Sequence, residues 1–287
     1  MSLGGIGIGA LEERLEELFA LPSGSETPRD AARVVNQLLE ALESGAVHAA
    51  VRGNDGVWRA VPWVKRGILA AFRFGKLADL SPGGDAFSFV DKDTIPPQRF
   101  GLERGVRIVP GGSTIRRGVY VAPGVVCMPP MFVNVGASIG EGTMIDSHAL
   151  VGSCAQLGAR CHISAAAQIG GVLEPVNASP VIIEDDVTVG GNCGVYEGTV
   201  VRSRTVLAAG VVLTRGTPVY DLVRETVYRA SGDAPLEIPA NAVVVPGARA
   251  VKGGWGANQK LSLQTPVIVK YRDEKTDFAT ALEGWLR

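Results

Sequence analysis

Four cysteines and three histidines are the residues of this 287-residue chain whose types most often supply nucleophiles, proton carriers or metal ligands. The cysteines form no C-x-x-C pair, and the histidines lack the spacing of a zinc motif. We therefore predict four free thiols, a reducing cytoplasmic environment and no bound metal. The residues concerned are Cys127, Cys154, Cys161 and Cys193, and His48, His148 and His162.

The composition of the chain argues against a nucleic-acid-binding protein and against a membrane-spanning protein. The formal net charge is -1, from 28 basic and 29 acidic residues, whereas a protein that binds nucleic acid through phosphates usually has a basic excess. The chain contains no apolar run of about 18 residues, so we expect no membrane span. It does contain 37 glycines, which indicates many tight turns.

A six-residue repeat must position the chemistry in the second part of the chain. Aliphatic residues recur at every sixth position, break register once, and resume from Ile183 to Leu213. The third residue after each of them is mostly Gly, Asp or Asn, the types that tolerate a positive φ. The first series is Val109, Ile115, Val121, Cys127, Val133, Ile139, Ile145, Val151, Leu157, Ile163 and Ile169.

A strand and a corner repeated every six residues predict a mainly β fold, and the pattern resembles the left-handed parallel β-helix of hexapeptide-repeat proteins. Three repeats would make one coil of a triangular prism, so Val151 should stack on Val133. Residues 170–180 and 219–237 interrupt the repeat and are expected to be loops. Ile238 and Val244 should add one more partial coil.

The regions on either side of the repeat have different patterns. Residues 10–20, 27–44 and 61–75 have helical spacing, with Thr27 as the expected N-cap of the second helix, and residues 46–61 indicate a hairpin. The tail predicts a strand and a closing helix. We therefore divide the chain into an N-terminal α/β, mostly helical domain (1–106), the β-helix (107–255) and a C-terminal strand-helix cap (256–287).

Several segments resemble the tetrahydrodipicolinate N-succinyltransferase family of lysine and diaminopimelate biosynthesis. They include EGTMIDSHALVGSCAQLG, GGVLEPVNASPVIIED, VYEGTVV, VRIVP and TPVIVK, and they span most of the chain. The resemblance implies that a succinyl group passes from succinyl-CoA to the amine of ring-opened tetrahydrodipicolinate, without a permanently bound cofactor. It also implies a homotrimer whose active sites lie between adjacent β-helices and take residues from two subunits.

The resemblance assigns roles to residues at matching positions. Asp146, in GTMID, matches the residue that binds the amino-acid substrate beside its amine, where a carboxylate can take the proton. Arg107, in VRIVP, matches the arginine that binds a substrate carboxylate. Other members carry a second acid where this chain has Gly194, and Glu197, in the same repeat, either replaces that acid or is structural.

The acyl donor and the type of base remain open. For CoA we predict the backbone of Ala209 and Gly210, with Lys260 near the pyrophosphate. Many hexapeptide acetyltransferases use a histidine base, so acetyl transfer to another small acceptor through His148 or His162 is an alternative. A non-catalytic β-helix scaffold is another, because a fold alone does not specify a function.

Overall fold

The computed structural model describes residues 7–83 and 87–273. Its N-terminal part packs three helices around an apolar cluster, with two short antiparallel hairpins beside them. These elements are α1 (Ile8–Ala20), α2 (Ala31–Glu43), β1 (Ala50–Arg52), β2 (Trp58–Ala60), α3 (Pro62–Phe74), β3 (Leu77–Asp79) and β4 (Val90–Lys92), followed by a 3-10 turn at Leu102–Arg104.

The start of α2 differs from the sequence prediction. The helix begins at Ala31 and its N-cap is Asp30, so Thr27 does not cap it. The Asp30 carboxylate caps no backbone N–H, because it accepts two 2.9 Å hydrogen bonds from the guanidinium of Arg14 on α1. The Arg14–Asp30 ion pair thus joins α1 to the start of α2, and Thr27 lies four residues before the helix.

Residues 107–213 form a left-handed parallel β-helix of very short strands. In chain order the strands are β5 (Arg107–Ile108), β6 (Thr114–Ile115), β7 (Tyr120–Val121), β8 (Val126–Cys127), β9 (Phe132–Val133), β10 (Ser138–Ile139), β11 (Met144–Ile145), β12 (Leu150–Val151) and β13 (Gln156–Leu157). They continue as β14 (His162–Ile163), β15 (Gln168–Ile169), β16 (Ile182–Ile183), β17 (Thr188–Val189), β18 (Gly194–Val195), β19 (Val200–Val201), β20 (Val206–Leu207) and β21 (Val212–Leu213).

The strands build three faces of a prism. Face 1 contains β6, β9, β12, β15, β18 and β21, and face 2 contains β7, β10, β13, β16 and β19. Face 3 contains β5, β8, β11, β14, β17 and β20. The second residue of almost every strand points inward and contributes to one continuous apolar core. Val151 pairs with Val133 in register, which confirms the predicted stacking.

The first coil corrects the predicted phase. Ile108, and not Val109, pairs with Cys127 of the coil above. The corner that follows β5 contains five residues, 109–113, whereas the next corner at this edge contains four, 128–131. Gly111 and Gly112 both adopt positive φ there, and this accommodates the additional residue.

The predicted corners are present throughout the prism. The third residue after the inward one has positive φ in most coils, including the non-glycine residues His148, Cys154, Arg160, Ala166 and Arg204. Such residues are uncommon in the left-handed region, so the stacking of the coils imposes that conformation on them. Residue type alone identified only the Gly, Asp and Asn corners.

Two edges of the prism differ in the length of the corners that they carry. The edge between faces 1 and 2, here called the loop corner, comprises residues 134–137, 152–155, 170–181, 196–199 and 214–236. Both predicted interruptions therefore leave the prism at this one edge. The edge between faces 3 and 1, here called the acid corner, comprises residues 146–149, 164–167, 190–193 and 208–211.

A C-terminal hairpin closes the upper end of face 3. Ile238 and Val244 join the coils through β24 (Glu237–Ile238) and β25 (Ala242–Ala250), as predicted. β25 pairs antiparallel with β26 (Ser262–Tyr271), and the short helix α4 (Gly254–Asn258) connects them. β26 also pairs with β22 (Val219–Asp221), which forms a hairpin with β23 (Thr226–Tyr228).

The tail strand is thus confirmed as β26, while the closing helix predicted after it falls mainly on residues 274–287, outside the described residues. The proposed limit between residues 255 and 256 falls inside α4, and the three-part division of the chain stays a prediction. Among the helices formed by residues 7–83 and 87–273, none has the length and apolar character needed to cross a membrane.

Val151→Asp tests the phase of the repeat. Val151 is fully buried in the core, so an aspartate there would bury an unpaired charge and should cost at least ~3 kcal/mol of unfolding free energy. Leu150→Asp is the matched control, because Leu150 precedes it on β12 and points outward. Urea unfolding followed by circular dichroism measures both variants. Equal stability of the two would contradict the assigned inward face.

Candidate active site

Asp146 and His162 form a hydrogen-bonded pair at the acid corner. The first residue after β11 is Asp146, whose backbone N–H donates to Ile163 O at 2.8 Å. His162 is the outward residue of β14, one coil above, and its Nε2 lies 2.8 Å from Asp146 Oδ2. Both side chains remain about one-fifth exposed, so the pair can reach a ligand. The predicted acid therefore has a histidine partner.

From the sequence alone, His162 is only a candidate for the alternative base. The spacing of the two residues could have predicted this contact. One coil contains 18 residues, so the residue 16 positions after Asp146 lies one coil higher and two positions earlier in the repeat, near the same edge. The other two histidines are elsewhere. His148 is exposed with positive φ at the corner itself, and His48 packs edge-on against Tyr120, 5.8 Å between ring centroids.

Arg107 lies on the same face as the pair, but lower. It is the outward residue of β5 and is in register with Val126 and then Met144, two coils above. At ~4.8 Å per coil it lies about 10 Å below the level of Met144. Arg107 thus lies on face 3, two coils below the strand that leads to Asp146.

A large cavity opens at the loop corner. It has a volume of about 1030 Å³, and its walls are the 170–179 loop, the turn at residues 196–198 and residues from the 214–236 loop. Three acidic side chains, Glu174, Glu197 and Asp233, line it together with Arg215. A cavity of this size can hold a small-molecule ligand.

Glu197 has an unusual backbone in this cavity. Its φ is 54°, and Gly198 after it also has positive φ, whereas most other corners have a single left-handed residue. Its Oε2 accepts a hydrogen bond of 2.8 Å from the backbone N–H of Arg215, while the Arg215 guanidinium bonds to Gly232 O. Backbone strain of this kind is concentrated at functional sites.

Gly194 does not leave an empty space where the resemblance leads us to expect a second acid. A Cβ added at Gly194 would lie 2.4 Å from the ring of Tyr196, and one added at Gly170 would lie 2.8 Å from it. The two glycines therefore form a slot for the aromatic ring on face 1. A larger side chain at residue 194 would require Tyr196 to move.

The structure does not bring Asp146 and Glu197 together within one chain. Asp146 is at the acid corner after β11, and Glu197 is at the loop corner after β18. The two carboxylates thus project from different edges of the prism and from different coils.

The residues predicted to contact CoA lie above Asp146. Ala209 and Gly210 are at the acid corner after β20, three coils and roughly 14 Å higher along the prism. Lys260 is exposed next to α4. Gln264, on β26 of the same hairpin, reaches Gly210 O at 3.5 Å. The hairpin that carries Lys260 is therefore adjacent to Gly210.

The cysteines are unsuitable as nucleophiles. All four are free and buried. Burial raises the pKa of Cys127, Cys154 and Cys161 to about 12 and also raises that of Cys193. Among the residues with described positions, no three His, Cys, Asp or Glu side chains are grouped closely enough to bind a metal ion.

The sequence is similar to known proteins in both its N-terminal region and its repeat. Residues 10–74 match the family model "Tetrahydrodipicolinate N-succinyltransferase N-terminal", and residues 180–215 match "Hexapeptide repeat of succinyl-transferase". Two similar curated proteins are 2,3,4,5-tetrahydropyridine-2,6-dicarboxylate N-succinyltransferases. The protein of Bradyrhizobium diazoefficiens is 39% identical to this chain, and the match covers 98% of this chain and 99% of the relative. The protein of Xylella fastidiosa is 40% identical, and the match covers 97% of this chain and 98% of the relative.

A solved structure described as a tetrahydropyridine-2-carboxylate N-succinyltransferase of Campylobacter jejuni is 16% identical. It covers 82% of this chain and 62% of its own, with a TM-score of 0.45. The β-helix assignment therefore depends on the strand pairing and the repeat described above.

Thiol titration tests the burial of the cysteines. With their pKa values raised by burial, the thiols should be almost entirely protonated at pH 8 and inaccessible, so the folded protein should react slowly with a disulfide reagent. All four should react quickly in denaturant. Rapid reaction of one thiol in the folded protein would identify an accessible thiolate and reopen the possibility of a covalent acyl-enzyme.

Proposed function

The chain belongs to the 2,3,4,5-tetrahydropyridine-2,6-dicarboxylate N-succinyltransferase family, and we propose that Asp146, oriented by His162, is the base of its succinyl transfer. The observation that carries this proposal is the 2.8 Å contact between these two side chains on an accessible edge of the prism. Its relatives are named as N-succinyltransferases of 2,3,4,5-tetrahydropyridine-2,6-dicarboxylate, and we place the enzyme in lysine and diaminopimelate biosynthesis.

The reaction is a direct transfer between two small molecules. Succinyl-CoA donates the acyl group, and the amine of ring-opened tetrahydrodipicolinate attacks the thioester carbonyl. The carbon–sulfur bond then breaks, CoA leaves as its thiol, and the amide is formed. The buried, protonated cysteines support a mechanism without an acyl-enzyme intermediate.

Asp146 contributes by removing a proton from the amine. An ammonium has no lone pair with which to attack, and a carboxylate placed beside it can accept the proton that the amine must lose. The His162 Nε2–H, donated to Oδ2, holds the carboxylate in one orientation and leaves Oδ1 for the substrate. The tautomer with hydrogen on Nε2 is the one that this contact requires.

The two substrates are arranged along one edge in this proposal. Arg107, about 10 Å below Met144 on face 3, binds a carboxylate of the acceptor, and an extended pimelate-type chain spans a comparable length. CoA occupies the coils above, against the backbone of Ala209 and Gly210, with Lys260 near its pyrophosphate. Ala209 and Gly210 lie on the same edge as Asp146, and the hairpin that carries Lys260 is adjacent to Gly210, which supports that path.

We further propose a homotrimer with shared active sites. Asp146 and Glu197 project from different edges of one prism, so they can act on the same amine only if the acid corner of one chain faces the loop corner of another. In this arrangement the cavity beside Glu197 receives the ligand held at the neighbour's Asp146. A cytoplasmic location is consistent with four unpaired cysteines.

Asp146→Asn tests the base. The carboxamide keeps the shape but cannot take a proton, so kcat/KM for the acceptor should fall by about 10²–10⁴. The KM for succinyl-CoA should change little, because the donor is expected on later coils. Glu141→Gln is the matched control, since Glu141 is an exposed acid in the same segment but at another edge. CoA release with each donor and acceptor measures the effect.

A different result would favour the alternative base. Near-normal turnover of Asp146→Asn, together with loss of activity in His148→Ala, would contradict the carboxylate mechanism. It would support a histidine-dependent acetyltransferase, which the same assay would detect as a preference for acetyl-CoA.

Mixing two variants tests the shared site. Asp146→Asn and Glu197→Gln should each be poorly active alone if both carboxylates act. When their chains are dissociated and reassembled together, each mixed trimer regains one site with both acids, so about a quarter of wild-type activity should return at equal amounts.

Two outcomes would contradict this arrangement. If mixing restores nothing although the chains exchange, the two acids do not meet across an interface. Full activity of Glu197→Gln alone would assign Glu197 to structure, and full activity of a ~30 kDa monomer in light scattering would refute the shared site.

A further inference from the structure

Lys65 is a fully buried charged residue that the succinyl transfer does not explain. It lies on α3, has no exposed surface, and donates from Nζ to Ala178 O at 2.6 Å. Burial lowers its pKa. Burying an amine costs free energy unless it has a hydrogen-bond partner, so the bond to the 170–181 loop matters for this residue.

The N-terminal helices contact the loop corner directly. Cys154 and Val135, two residues of that corner, belong to the apolar cluster of α1, α2 and α3, and Leu173 of the loop packs against the same cluster. The loop is therefore held to the helical domain by apolar packing and by the Lys65 hydrogen bond together.

The tethered segment continues to the turn that carries Glu197. Ala178 is followed by Ser179, whose carbonyl oxygen would lie 2.5 Å from a Cβ on Gly198. Gly198 is the second left-handed residue of the Glu197 turn. A short physical connection thus runs from Lys65 through Ala178 and Ser179 to the backbone beside Glu197.

We propose that Lys65 is a positioning residue, through which the N-terminal domain fixes the 170–181 loop and the Glu197 turn in the geometry needed for catalysis. The N-terminal domain then shapes one wall of the cavity without touching substrate. This inference rests on the proposed role of the loop-corner cavity as part of the active site.

Lys65→Met in the full-length enzyme tests the proposal, because methionine retains the apolar stem and removes the donor. Hydrogen exchange of residues 173–181 should become faster by about tenfold or more. The kcat should fall by a similar factor, with a smaller change in the KM for succinyl-CoA. Lys92→Met is the matched control, since Lys92 Nζ donates to Gly75 O at 2.8 Å away from the loop.

The control separates positioning from general stability. Lys92→Met should lower the melting temperature without accelerating exchange in the loop or lowering kcat. If Lys65→Met behaves in the same way, with normal loop exchange and normal kcat, the proposal is overturned. Hydrogen exchange needs no substrate, so failure of the wild-type chain to transfer succinyl groups would refute the proposed function separately.

A second variant keeps the test valid if Lys65→Met does not fold. Leu173→Ala removes an apolar contact between the loop and the helical cluster at a partly exposed position, so folding should persist. It should also accelerate loop exchange and lower kcat. A Leu173→Ala enzyme with accelerated exchange and unchanged kcat would show that loop position does not control catalysis.

Discussion

The stacking of one inward side chain on the equivalent side chain of the coil below is the constraint on which this molecule depends. Each strand contributes only two residues to a face, too few for a stable sheet alone. Stability comes from repetition, as each coil buries its aliphatic residues against its neighbours in one core. The corners must therefore close after a fixed number of residues, and even alanine, arginine and histidine accept positive φ there.

That regularity explains where insertions and the candidate site residues lie. A coil cannot insert residues within a strand without disturbing the stack, so additions occur at edges. Both large insertions leave at the loop corner, where the N-terminal helices also pack, and together they enclose the cavity beside Glu197. The acid corner has no insertion between β11 and β21, and it presents Asp146, His162 and Gly210 along one accessible line. The loop corner therefore carries long insertions, whereas the acid corner consists of short turns.

The repeat made most of the fold predictable, because an inward side chain at each coil constrains the sequence directly. The partners of Val133, the break at residues 170–180 and the return at Ile238 followed from spacing. Contacts between distant elements left no such pattern. The Arg14–Asp30 ion pair, the Tyr196 ring against Gly194 and the hydrogen bond from Lys65 to Ala178 are contacts of this kind. At the site, Asp146 was predicted from a matching segment, whereas its pairing with His162 required the coil geometry.

The Asp146–His162 pair lies at mid-height in the stack of coils, away from the ends where fraying begins. In a linear array, local opening begins at the two termini of the stack, where a coil has only one neighbour. β11 and β14 lie in the middle of face 3, with β5 and β8 below them and β17, β20 and the β25–β26 hairpin above. Transient unwinding of a terminal coil therefore leaves Asp146 and His162 in register, and the enzyme can tolerate loose ends while its central coils remain closed.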